Sequence, residues 1–256
     1  MRRSAWACAA AGAVTGVVGA LLWFAPATWL AAWVHDASQG QVVLARAQGT
    51  VWQGSAQLEL GGGQGSLDKT ALPGAVRWQL RPAWNGLRMA LHADCCTPQG
   101  VQVLAAPRWG GIDLQVTDAQ TQWPAALLGG LGTPWNTLQP EGELKLVTRA
   151  LALQWVQGRV ALAGRATLDA VGMSSRLSTL RPMGSYRLSL TGGAVTGVQM
   201  ETLDGSLILS GSGQWAGSRL RFEGAATAAP ERAAALNNLL NIIGRRDGAR
   251  SIISVG

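Results

Sequence analysis

The chain is poor in the residues from which chemistry is usually built. In 256 residues it has two histidines, three cysteines, one tyrosine and two phenylalanines, and only 14% of its side chains are charged. Two histidines cannot furnish a histidine-rich metal centre, and three cysteines are too few for a disulfide scaffold. Low charge beside 48% hydrophobic residues excludes a disordered chain, and collagen is excluded because no Gly-X-Y period runs through the sequence. What is plentiful is glycine, 34 residues, and tryptophan, 12. The length suits one domain of ordinary to large size, or two small ones.

Charge is also missing from one long stretch. After Met1, Arg2, Arg3 and Ser4, no charged side chain occurs before Asp36, with His35 just ahead of it. A helix needs about 20 apolar residues to cross a bilayer, and Ala5 to Phe24 supplies them. Trp6 at one end and Trp23, Trp29 and Trp33 at the other fit interfacial aromatic belts, while Gly12, Gly16 and Gly19 allow close helix packing in lipid. Arg2 and Arg3 place the N-terminus in the cytoplasm by the positive-inside rule. A cleaved secretory signal is the alternative, because Ala25-Pro26-Ala27 satisfies a small-x-small site. The run is longer than the roughly 7 to 15 residues of a signal's apolar region, which favours a retained anchor. The expected organisation is a cytoplasmic stub and signal-anchor transmembrane helix over 1–35, then a β domain over 36–256. In a bacterium this is a single-pass inner-membrane protein with its bulk in the periplasm.

The formal charge is +7, and without Arg2 and Arg3 the rest still holds 19 basic against 14 acidic residues. Nearly all the positive charge is arginine, the lysines being Lys69 and Lys145 alone. The arginines are spread along the chain, not clustered with stacking aromatics, which argues against nucleic acid as a partner.

Beyond residue 40 the dominant period is two. Val76, Trp78 and Leu80 alternate with Arg77, Gln79 and Arg81, and Leu87, Met89 and Leu91 alternate with Arg88, Ala90 and His92. Similar alternation runs through 112–116, 151–155, 160–162, 186–190, 207–209 and 220–222. Strands with one buried and one wetted face belong to antiparallel sheets. Asn85-Gly86, Gly110-Gly111, Gly192-Gly193 and Asp204-Gly205 supply the turns between them. About ten to thirteen short strands in a meander are expected. The sheet could be an open groove, a half-barrel or a sandwich. Trp52, Trp84 and Trp215 each precede a Gly-enabled reversal, reading as hairpins that pack a tryptophan at the sheet end.

Two segments depart from this period. Pro124 to Leu131 reads as a short helical turn that proline starts and Gly129-Gly130 stops. Pro230 opens a second helix in which Leu236, Leu239, Leu240 and Ile243 fall at i, i+3, i+4 and i+7, and Gly244 closes it. Ser251 to Ser254 reads as a last strand.

Motifs for chemistry are lacking. Gly61-Gly62-Gly63-Gln64-Gly65 has no Gly-Lys-Ser/Thr after it, so a hairpin loop is expected there, not a phosphate cradle. His35 and His92 are isolated, Glu141 and Glu143 share a strand face without a cleft, and no nucleophile signature occurs. No catalytic, cofactor-binding or metal-binding residue is assigned, and no cofactor is implied. Cys95-Cys96 lies in a turn, where the pair could close on itself, join two chains or stay reduced; ordinary turn residues are the simplest reading.

Taken in order, several segments resemble the type II secretion system protein N family. They are the basic start and apolar anchor, Ala47-Gln48-Gly49-Thr50-Val51-Trp52-Gln53-Gly54-Ser55-Ala56, and Val76-Arg77-Trp78-Gln79-Leu80-Arg81-Pro82. After these come Pro124-Ala125-Ala126-Leu127-Leu128-Gly129, Pro140-Glu141-Gly142-Glu143-Leu144 and the tail from Gly224 to Arg246. The resemblance implies a non-enzymatic inner-membrane accessory component of the machine that exports folded proteins across the outer membrane. Its implied partners are other secretion components of the inner-membrane platform or the secretin. It is similar in architecture to AsmA-like periplasmic β-groove proteins, which implies possible lipid in the groove. Membrane lipid around the N-terminal helix is a further expected partner.

Overall fold

A computed structural model describes residues 12–13, 16, 19–21, 23–157, 159–216 and 219–256. The expected transmembrane segment, Ala5 to Phe24, lies largely outside them. Among the described residues no helix is long and apolar enough to cross a membrane.

The alternating segments form one open antiparallel sheet, with sixteen strands among the described residues. These are β1 (Val42–Gly49), β2 (Gln53–Gly61), β3 (Lys69–Ala71), β4 (Val76–Ala83), β5 (Gly86–Ala93), β6 (Val101–Arg108), β7 (Gly111–Val116) and β8 (Ala119–Pro124). Then follow β9 (Glu141–Val156), β10 (Arg159–Ser174), β11 (Gly184–Thr191), β12 (Gly197–Gly205), β13 (Leu207–Ala216), β14 (Arg219–Ala228), β15 (Arg245–Asp247) and β16 (Arg250–Val255). The order β1-β2-β4-β5-β6-β7-β9-β10-β11-β12-β13-β14-β16-β15 is almost pure meander, with β3 added to β2 and β8 to β9. The sheet is therefore neither a closed barrel nor a sandwich, and its strands outnumber the ten to thirteen expected. Short pieces such as β3 and β15 carry too few residues to display a period.

β9 and β10 are 16 residues each, far longer than the alternating stretches 151–155 and 160–162 within them. Their ladder skips register between Ala163 and Arg165, where Ala150 and Gly164 both have positive φ. A Cβ on Gly164, at φ +81°, would lie 2.1 Å from the Ala150 carbonyl oxygen, so only glycine fits. The bulge interrupts the alternation, which is why only 151–155 of β9 and 160–162 of β10 display it. Lower β9 carries β8 and upper β9 carries β7, so the long strand joins both parts of the sheet.

Helices cover parts of one face. α1 (Ala27–Ala37) starts after Pro26 and packs Ala27 and Leu30 beside Ala56 and Trp78. The expected turn after Pro124 is a 3-10 helix, Ala125–Leu131, whose Leu127 packs with Leu72, Val76, Ala93 and Cys96; it continues through both glycines. α2 (Trp135–Leu138) follows. α3 (Ala233–Ile243) presses Leu236, Leu239 and Leu240 onto Met183, Tyr186, Leu207 and Ala226. Burying each such leucine contributes about 2 kcal/mol. The phenol of Tyr186 is enclosed there without a hydrogen-bond partner among the described residues, and burial raises its pKa.

Candidate functional site

Cross-strand pairs define two opposed surfaces in the middle of the sheet. Leu146, Leu168, Leu188 and Met200 stand directly opposite one another across β9, β10, β11 and β12. Residues so paired share one face, making an apolar row. It lies between the helix-covered clusters, and Leu188 keeps 38% of its surface exposed. One residue along, Lys145, Asp169, Arg187 and Glu201 form a row of alternating charge on the other face. Arg187 donates from Nε and Nη2 to both oxygens of Asp169, each at 2.7 Å. These hydrogen bonds hold the Asp169 carboxyl below its usual value, overcoming the opposing effect of burial, with help from the charges of Arg187 and Lys145. They also raise the guanidinium's pKa. This arrangement is a register lock between strands, and Asp169, Arg187 and Glu201 also line an open hollow on that face together with Arg149, Arg165 and Thr167.

Of the sheet's two outer strands, β1 has α1 packed over its face, and β15 is a three-residue strand of exposed charged side chains. Short charged edges are poor templates for strand addition.

The residues singled out in the sequence are dispersed. His92 Nε2 is 3.7 Å from Asp94, whose carboxylate also meets Arg77 at 3.0 Å. Glu141 pairs with Arg181 at 3.2 Å and Glu143 with Lys145 at 3.7 Å. His35 lies in the last turn of α1. Gly61 to Gly65 lead from β2 toward β3 with no helix behind them. Among the described residues no group of three or more His, Cys, Asp or Glu is placed to hold a metal.

Cys95 and Cys96 close on each other as a disulfide, so the reading as ordinary turn residues is corrected. Cys95 faces solvent, whereas Cys96 is 1% exposed and packs with Leu72, Val76, Ala93 and Leu127. The Cys96 carbonyl accepts a hydrogen bond from the Gln122 amide at 2.8 Å, tying this corner to β8. Adjacency in sequence showed that the pair could bond; burial of one half was invisible because its neighbours come from other elements.

The tryptophan hairpins also differ from expectation. Trp84, at the β4–β5 turn, is 98% exposed and packs against nothing at the sheet end; Trp109, at the β6–β7 turn, is equally exposed. Trp215 is in β13 and partly covered.

No curated protein and no solved structure matches this chain. The family model described as type II secretion system (T2SS), protein N, matches residues 40–253, nearly the whole β sheet, and the chain therefore belongs to the type II secretion system protein N family.

Proposed function

We propose that this protein is an inner-membrane-anchored, non-enzymatic accessory component of the type II secretion system that works by contact with other secretion components. Family membership over residues 40–253 carries the reading. The apolar run from Ala5 to Phe24 behind Arg2 and Arg3 supports an anchor with the sheet held in the periplasm. The short charged strand β15 disfavours strand addition at that end of the sheet, leaving loops and the sheet face for contact there. Photo-crosslinking in secreting cells, from positions on the loops 62–68 and 94–100, tests it. Adducts with platform proteins or the secretin are expected, and loss of secretion on deleting the gene. Normal secretion without the protein, or adducts that contain no secretion component, would overturn the reading.

The apolar row Leu146, Leu168, Leu188 and Met200, half-buried with Leu188 exposed, favours a second role, shielding an acyl chain against the sheet. Apolar surface left accessible on a sheet face marks sites for apolar partners. Native mass spectrometry of the purified protein should then show bound lipid, reduced by Leu188→Asp; lipid-free protein would dismiss this role.

A further inference from the structure

Antiparallel order puts the turns 50–52, 84–85 and 109–110 on one rim of the sheet, because β1, β4 and β6 all run toward it. The loops 62–68 and 94–100 lie on the opposite rim, while 117–118 sits part-way down the sheet beside the middle of β9. The N-terminal segment arrives at the first rim: the Val51 amide donates to the Ala25 carbonyl at 2.8 Å, and Pro26 bridges to Thr50. Trp23 and Phe24 line one cleft there with Trp52, Leu80 and Arg81.

Three features of this rim coincide. Trp84 and Trp109 project from adjacent hairpins with 98% of each surface exposed. Tryptophan so placed gains nothing from its own fold, yet its amphipathic ring is the residue most suited to a headgroup layer. Arg81 and Arg88 face each other directly across β4 and β5, just behind Trp84. No carboxylate pairs with either among the described residues, and like charges in direct opposition destabilise a ladder unless an anion relieves them. From 23 to 116, the carboxylate near this rim is Asp113, already bonded to Arg108 at 3.5 Å, whereas Asp68 and Asp94 lie at the other rim.

We infer that the rim bearing Trp84 and Trp109 rests on the bilayer surface, its tryptophans in the headgroup layer and Arg81 and Arg88 against anionic lipid phosphates. The sheet would stand with its strands directed away from the membrane and the rim bearing Asp68 and Asp94 outermost. This deepens the anchored reading, from which it takes only that the N-terminal run lies in the bilayer.

The test uses the full chain in vesicles of phosphatidylethanolamine and phosphatidylglycerol, with a benzophenone side chain at position 84, 109 or 67. Leu67 is the control, being 97% exposed on the opposite rim. Lipid adducts at 84 and 109 should exceed those at 67 several-fold. The Arg81→Glu/Arg88→Glu variant should lower them on phosphatidylglycerol vesicles and leave them unchanged on pure phosphatidylcholine. Equal yields at all three positions, adducts confined to 67, or adducts between protein chains at 84 and 109 would overturn the inference. Carbonate extraction separates the two readings. A chain that resists extraction but lacks the adduct pattern keeps the anchor and loses the rim; a chain that is extracted yet shows the pattern beforehand loses the anchor and keeps the rim.

Discussion

Arg187 stands directly opposite Asp169 across β10 and β11, and its guanidinium grips both carboxylate oxygens at 2.7 Å. The pair is flanked in the same row by Lys145 and Glu201, so charge alternates over four strands. Slipping any strand by one residue would put these charges on the apolar face and Leu146, Leu168 or Leu188 in water.

The pair makes acid stability depend on Asp169. Its folded pKa lies below the usual 3.8, chiefly through the hydrogen bonds from Arg187. A depressed carboxylate contributes stability that is fully present above the unfolded value and is lost as pH falls through the folded one. The difference in thermal midpoint between the native protein and Asp169→Asn should therefore be constant from about pH 5 to 8 and shrink below about pH 4. Thermal melts across that range check it, and a difference that widens on acidification would refute it.

Exchanging the pair should not restore stability. In Asp169→Arg/Arg187→Asp the central attraction survives, but the new guanidinium at position 169 would face Lys145, and the new carboxylate at position 187 would face Glu201. Like charges in direct opposition cost stability, so this double variant should melt below the native protein. Adding Lys145→Glu and Glu201→Lys should recover much of the loss, and melting curves of the three proteins rank them.

Removing the apolar stripe of α3 should loosen the C-terminal part of the sheet. Leu236 is fully buried and Leu240 nearly so, against Met183, Tyr186 and Leu207. Leu236→Ala or Leu240→Ala should cost about 2 to 5 kcal/mol, whereas Asn237→Ala, on the exposed side, should stay within about 0.5 kcal/mol. Urea unfolding provides the values, and protease cleavage near Ala229 should accelerate only in the leucine variants.

The two adjacent cysteines should respond unequally. Cys96→Ser puts a hydroxyl among Leu72, Val76, Ala93 and Leu127, while Cys95→Ser changes a solvent-facing side chain. An unpartnered buried hydroxyl costs about 1 to 3 kcal/mol, so Cys96→Ser should be the more destabilising by roughly that amount. In Cys95→Ser the remaining thiol at Cys96 should react with maleimide slowly in the folded protein and quickly in urea.

Much of this fold is written in local patterns. The two-residue alternation at 76–80 and 87–91, the reversal at Asn85-Gly86, and the spacing of Leu236, Leu239, Leu240 and Ile243 each reflect a geometry that repeats within a few residues. Antiparallel pairing, the meander and the C-terminal helix follow from them, as does family membership from the order of several weak motifs. What depended on tertiary structure is which distant residues meet. The Ala150–Gly164 bulge joins short alternating stretches into 16-residue strands; Lys145, Asp169, Arg187 and Glu201 become one row only through the registers of three ladders. Trp84 and Trp109, alike in sequence to tryptophans of a core, stand outside it because strand direction carries both to the rim where the N-terminal segment enters. Periodicity reports which side of its own strand a residue occupies; register and strand direction, set by every turn and bulge before it, decide what lies across from it.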